Sequence, residues 1–189
     1  MFTGIFMASG QSIRMGKNKL LLPFHGKPMF QHGLEAAFNS SLDLCAAVTN
    51  QKYILSFCKK NSIPYVFNDF AAEGQSASIR LGVGFAPPLS SYMFIPADQP
   101  FLTSHGIDFL ISEAKKHPGK IIVPKYRNTP GSPTIFPQNL RGELLGLTGD
   151  VRGKRIIQTH RNLVHCVEVE DKLLLTDIDT PEDYAGHMK

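Results

Sequence analysis

Short apolar runs alternate along this chain with stretches in which apolar residues recur every three or four positions. Residues 2–8, 42–49, 64–67, 92–96, 121–124, 134–136 and 163–169 read as strands. Residues 27–39, 51–61, 75–85, 103–117, 139–145, 151–159 and 181–189 read as helices. In the first of these helices Met29, Phe30, Leu34, Ala37 and Phe38 fall on one helical face. Pro87 and Pro88 stop the third, and Pro181 opens the last at a position where its missing N–H costs nothing. Strands separated by helices predict an α/β fold with a mostly parallel sheet. In such a sheet crossovers are right-handed, and ligands sit at the carboxyl ends of the strands. No internal repeat, low-complexity tract or Gly/Ser linker interrupts the pattern, so 189 residues predict one domain with a sizeable core. The Pro- and Gly-rich stretch 124–137 reads either as a loop closing over a ligand or as an ordinary connection.

Composition narrows the picture modestly. With 42% hydrophobic and 19% charged residues the chain is of an ordinary globular kind. Its formal charge of +4 is too weak to argue for nucleic acid, and no cationic run or aromatic-interleaved stripe exists. No apolar stretch approaches a membrane span, and the first residues lack the basic and apolar regions of a signal peptide. Cys45, Cys58 and Cys166 are too widely spaced for a zinc motif. Free thiols in a reducing compartment, hence a cytoplasmic location, are expected. The charge is unevenly placed. Arg14, Lys17, Lys19 and Lys27 precede the first acid, Glu35, whereas 168–183 holds seven acids and one cation, Lys172.

Four segments carry candidate chemistry. The first follows the opening strand: Ala8-Ser9-Gly10, then Arg14 and Lys19. Small residues let a backbone approach a ligand, Arg grips phosphate oxygens and Lys adds a mobile charge. The glycines Gly10 and Gly16 lie six apart, and Gly16-Lys17 is followed by Asn18, so neither familiar phosphate loop is present. The segment reads as an anion loop or as a solvated turn. The second is Asp98, the only charge between Arg80 and Asp108, at the end of an apolar strand between two prolines. A carboxylate so placed needs a cation, either a basic side chain or a metal, and Mg²⁺ is the natural choice beside phosphates. The third, Gly74-Gln75-Ser76-Ala77-Ser78, enters a helix and could contact a base and ribose or cap the helix. The fourth is Asp177-Ile-Asp179-Thr-Pro-Glu-Asp-Tyr184. Asp177 and Asp179 are expected to face opposite ways, leaving one of them, Asp179 in this reading, to join Asp98. The seven histidines show no ligand spacing, and no Ser/His/Asp or Cys/His set is visible.

Together these segments resemble the molybdenum cofactor nucleotidyltransferases, within the nucleotide-diphosphosugar-transferase-like superfamily. Met7-Ala-Ser-Gly-Gln-Ser-Ile-Arg-Met-Gly-Lys-Asn-Lys-Leu-Leu-Leu22 is similar to that family's Leu-Ala-Ala-Gly-x-Ser-x-Arg-Met-Gly-x-x-Lys-x-Leu-Leu pattern, with Ser9 replacing the second alanine. Ala97-Asp-Gln-Pro100 resembles its Gly-Asp-Gln-Pro, Gly131-Ser-Pro-Thr-Ile-Phe136 its Gly-x-Pro-x-x-Phe, and 177–184 its Asp-x-Asp-Thr-Pro-Glu-Asp-Tyr. Leu147-Thr-Gly-Asp-Val-Arg-Gly-Lys154 aligns with Leu-x-Gly-Asp-x-Gly-Gly-Arg, with Arg152 in place of Gly and Lys154 in place of Arg.

The resemblance implies a single-domain, Rossmann-like three-layer sandwich with helices on both faces. Its nucleotide-binding half would span about 1–102 and its acceptor-binding half about 103–189. It implies transfer of CMP from CTP to the terminal phosphate of molybdopterin with release of pyrophosphate. GTP, or a different phosphorylated acceptor, is the alternative enzyme reading, and a carrier of the finished cofactor the non-enzymatic one. Lys19, Arg14 and Asp98 would act in catalysis. Ala8, Ser9, Gly10, Arg14, Lys19, Gly74, Gln75, Ser76 and Ser78 would bind the nucleotide, and Asp98 and Asp179 would hold Mg²⁺. Ser132, Asp150, Arg152 and Lys154 would meet the acceptor. The implied partners are the nucleotide, the phosphorylated pterin and a molybdoenzyme receiving the product, with the chain acting as a monomer.

Overall fold

A computed structural model describes residues 1–10, 18–149 and 153–188. Ten strands and seven α-helices follow one another in the described residues. The strands are β1 (Phe2–Met7), β2 (Pro23–Phe24), β3 (Lys27–Pro28), β4 (Leu44–Thr49), β5 (Tyr65–Phe67), β6 (Ser91–Pro96), β7 (Ile121–Tyr126), β8 (Thr129–Pro130), β9 (Thr134–Phe136) and β10 (Val164–Glu168). The helices are α1 (Met29–Phe38), α2 (Lys52–Lys60), α3 (Gln75–Phe85), α4 (Ser104–Lys116), α5 (Arg141–Leu145), α6 (Lys154–Thr159) and α7 (Pro181–Gly186). The main sheet runs β10-β7-β9-β6-β1-β4-β5, with β8 added on β7, and β2 and β3 form a separate two-stranded ribbon.

Four of the main sheet's pairings are parallel: β6 with β1, β1 with β4, β4 with β5, and β7 with β10. The expected mostly parallel sheet is therefore present, with one insertion. β9 runs antiparallel between β6 and β7. Three residues carry no hydrophobic signature of direction, so this reversal was not legible from the pattern. The 27–39 helix starts two residues late because Lys27 and Pro28 pair with Phe24 and Pro23.

Alternation along the strands splits the core in two, as a sheet covered on both faces requires. Phe6, Ala47, Met93 and Ile95 pack with Phe30, Leu34, Ile54, Ile107 and Leu110 of α1, α2 and α4. Ile5, Val48, Tyr92 and Phe94 pack with Ile79, Val83, Leu144 and Ile156 of α3, α5 and α6. Contact on the second face is close: a Cβ at Gly82 would stand 2.3 Å from Cγ2 of Ile5. Only glycine lets α3 settle at that depth on β1.

Both halves of this layered sheet direct their parallel strands the same way. The segments after β1 and β6, which carry Ala8–Gly10 and Asp98, therefore emerge side by side at one end. β9 runs the other way, so its start, just after Ser132, lies at that same end, with Thr134 opposite Phe94.

Candidate active site

The chain leaves β1 at Met7 and is tied at once to its neighbour. Ala8 N–H donates to the Val48 carbonyl (2.9 Å), and the Thr49 hydroxyl donates to the Ala8 carbonyl (2.8 Å). Ser9 is buried, and its hydroxyl donates to the Val48 carbonyl (3.1 Å). The role expected of Ala8–Gly10 toward a nucleotide was one for the backbone, and this hydrogen bond leaves that backbone role open. The Oγ of Ser9 is spent on β4, and only its backbone can serve a ligand. Gly10 is exposed, and a Cβ there would meet nothing within 4 Å among the described residues, which leaves its backbone open toward an incoming group on their side. Arg14 lies outside the described residues.

Lys19 sits in a 3₁₀ turn, Lys19–Leu21, opened by Asn18, whose side chain accepts from Leu20 N–H (3.1 Å). The Asn18 amide in turn donates to Gln51 (2.8 Å). This turn buries the stem of Lys19 and delivers its ammonium between two carboxylates. Nζ lies 2.7 Å from Oδ2 of Asp98 and 2.5 Å from Oδ1 of Asp179. Burial opposes its charge, but Asp98 and Asp179 outweigh that and hold the ammonium above the ordinary lysine range.

Two backbone links set this triad. Ile178 N–H donates to the Asp98 carbonyl (3.0 Å), which lays the 177–179 segment across the end of β6. Ile178 is fully buried with Phe24 and Met29. Tyr184 closes the other side by donating its hydroxyl to the Pro23 carbonyl. The Thr180–Asp183 capping box starts α7 directly after Asp179.

The buried Ile178 overturns the expectation that Asp177 and Asp179 face opposite ways. Residues two apart on an extended segment share a side, and the one between them points inward. Both carboxylates therefore lie on the Asp98 side. Asp177 accepts from the Gln99 amide (2.8 Å), while Oε1 of the buried Gln99 has no hydrogen-bond partner among the described residues. Crowding by protein atoms, and next the charge of Asp98, push the Asp177 carboxyl up to about 6. The residue as a whole stays exposed, so this shift belongs to its immediate neighbours and not to the core.

The remaining candidates divide. Gly74 holds φ at +90°, a conformation that favours glycine, and caps α3 without any side-chain hydrogen bond; Gln75 is its first residue. Ser76 and Ser78 do not cap α3. Ser76 donates to the Gly149 carbonyl, and Ser78 accepts from Asn68 (3.0 Å), both from buried positions. Arg80, which sequence reasoning passed over, donates to the Leu147 carbonyl (2.7 Å) and pairs with Glu73 (2.6 Å). It thus fastens the 147–149 turn to the start of α3. Ser132 lies at the end of the sheet where Asp98 emerges, and a Cβ at the adjacent Gly131 would stand 2.9 Å from Cβ of Leu175. Lys154 is exposed at the first position of α6. Asp150 and Arg152 lie outside the described residues.

The donor set fits a hard divalent cation. Asp98 and Asp179 offer carboxylate oxygens that already converge on one positive charge, with Asp177 beside them. The Lys19 ammonium occupies the point between them as a stand-in.

Residues 4–164 match the model of the MobA-like NTP transferase domain. The chain belongs to this family. Across 96% of its length it is 30% identical to the purine catabolism protein PucB of Bacillus subtilis, and it covers 93% of that protein. It is 26% identical to a probable molybdenum cofactor guanylyltransferase of Natranaerobius thermophilus, covering 96% of this chain and 92% of the relative. The fold is that of Rv0371c from Mycobacterium tuberculosis, crystallised with manganese: the TM-score is 0.82 at 22% identity, over 99% of this chain and 97% of the other. No α-helix among the described residues is long and apolar enough to cross a membrane.

Proposed function

We propose that this NTP transferase moves a nucleotidyl group from CTP to the terminal phosphate of molybdopterin and releases pyrophosphate. One observation carries the reading: Lys19, Asp98 and Asp179 meet at the carboxyl end of the sheet, beside the open backbone of Gly10. The attacking phosphate is largely ionised near neutral pH, its second pKa being about 6. No general base is then required. What the protein must supply is position and charge neutralisation.

In this reading the Ala8–Gly10 backbone and Arg14 cradle the triphosphate. Lys19 exchanges its carboxylate partners for phosphate oxygens at the transferred group. Asp98 and Asp179 hold Mg²⁺, which when bound neutralises phosphate charge. A manganese complex of a protein with this fold supports a divalent ion of that class. Gly74 and Gln75 meet the base and ribose through the start of α3. Ser132, Asp150, Arg152 and Lys154 face the acceptor, with Arg80 holding the turn that leads to them.

CTP is preferred because Asn18-Lys-Leu-Leu-Leu22 and Asp98-Gln-Pro100 look like the branch of this family that transfers cytidylyl groups. Ser9 matches neither the Ala-Ala-Gly opening of that branch nor the Ala-Gly-Gly of the guanylyl branch. GTP is the second reading, favoured by the guanylyltransferase relative. Pyrophosphate release measured with Mg²⁺, molybdopterin and each of the four nucleotides decides between them. CTP is expected to turn over fastest. A preference for GTP would replace the nucleotide assignment, and no release with any nucleotide would remove the reading.

A further inference from the structure

At the opposite end of the sheet three potential ligands converge where the reaction has no use for them. Glu113 and His117 stand four residues apart at the end of α4, so they share one helical face. Pro118 and Gly119, the latter with φ at +78°, turn the chain straight into β7. β10 pairs in parallel with β7, setting His165 opposite Ile122, near the start of that strand. His165 thereby comes under the last turn of α4. The His117 and His165 rings stack with centroids 3.7 Å apart at 27°. His117 Nε2 lies 3.9 Å from Glu113 Oε2, and one ligand atom from each of the three residues falls within 4.8 Å of the others. β7 and β6 run the same way through β9, so this cluster lies at the amino end and Asp98 at the carboxyl end.

We infer that Glu113, His117 and His165 form a zinc site, separate from the catalytic centre, which clamps the end of α4 to β10. Two imidazoles and one carboxylate with a fourth position open are a ligand set that Zn²⁺ accepts. Tetrahedral bonds to zinc place ligand atoms roughly 3.4 Å apart, and the stacked rings would rotate out of their stack to turn a lone pair each onto one ion. The negative end of α4 favours a cation there. The His117 side chain is 38% exposed, so the cluster is reached from solvent on that side. One group opposes the metal. Lys116 Nζ lies 2.6 Å from Glu113 Oε1, but its side chain is 65% exposed, so the pair is screened and exchangeable.

Calorimetric titration of the tag-free protein with Zn²⁺, with Co²⁺ absorption as a spectroscopic stand-in, tests the site. With Mg²⁺ in excess to occupy the Asp98–Asp179 pair, one equivalent of Zn²⁺ is expected to bind and to raise the melting temperature. His117→Ala and His165→Ala should each weaken that binding at least tenfold, while Asp98→Asn leaves it unchanged. Lys116→Ala should tighten it severalfold by freeing Glu113, a gain that misfolding cannot imitate. Binding that survives both histidine changes, or that disappears with Asp98→Asn, would overturn the site. A Lys116→Ala chain that binds no tighter would remove Glu113 from it and overturn the three-ligand assignment.

Discussion

Lys19 illustrates how much one side chain's surroundings decide. A lysine in a solvated loop is a mobile charge of little consequence. Here a 3₁₀ turn buries its stem, and two carboxylates, one 79 and the other 160 residues away in sequence, grip its head. Lys19→Met should lower turnover on the order of 10²–10³-fold, the scale of losing one preorganised charge contact, with the fold retained; pyrophosphate release together with circular dichroism checks both halves. Asp177 makes a different prediction, about stability. Its carboxyl titrates near 3.8 when unfolded and is pushed up to about 6 in the folded chain. Between those values the folded form holds a proton that the unfolded form has lost, so ionisation of Asp177 erodes stability as pH rises through that window. Asp177→Asn should therefore stabilise the protein at pH 7 and above, and the gain should shrink to nothing below about pH 3.8. Urea unfolding across this range measures it, and a difference independent of pH would contradict the shift.

At the scale of elements, packing sets what the sequence pattern only outlined. α3 was legible to the residue, because its small, apolar face and the following prolines mark both ends. Its closeness to β1 was not, since nothing local tells that Gly82 lies on Ile5. Gly82→Ala should cost about 1–3 kcal/mol by overpacking, read as a lower urea midpoint at unchanged slope. Arg80 gives a second test of element coupling. Arg80→Ala frees the 147–149 turn from α3 and should cost about 2 kcal/mol in the same assay. The candidate site was legible where charge was isolated: Asp98 stood alone in an apolar segment, and Lys19 followed a small-residue turn. It was less legible where side chains are engaged internally. Ser9, Ser76 and Ser78 look like ligand contacts in the sequence, yet their hydroxyls bind Val48, Gly149 and Asn68. A hydroxyl's partner in three dimensions leaves no trace in local spacing, and the direction of the three-residue β9 leaves none either.

For the molecule as a whole, the sheet's polarity organises everything. Its carboxyl end gathers Gly10, Lys19, Asp98 and Asp179, while its amino end gathers Glu113, His117 and His165. The C-terminal Asp177–Tyr184 segment makes the first of these possible. It docks Ile178 in the core, bonds to Asp98 and Pro23, and so joins residues from both ends of the chain into one centre. The central claim is that this centre performs nucleotidyl transfer. Its most direct test compares pyrophosphate release by the native chain and by Asp98→Asn, with Mg²⁺, CTP and molybdopterin, at equal folded concentration. The account predicts release by the native chain and loss of essentially all turnover in the variant, with an unchanged melting profile. Undiminished release by a folded Asp98→Asn chain would contradict it.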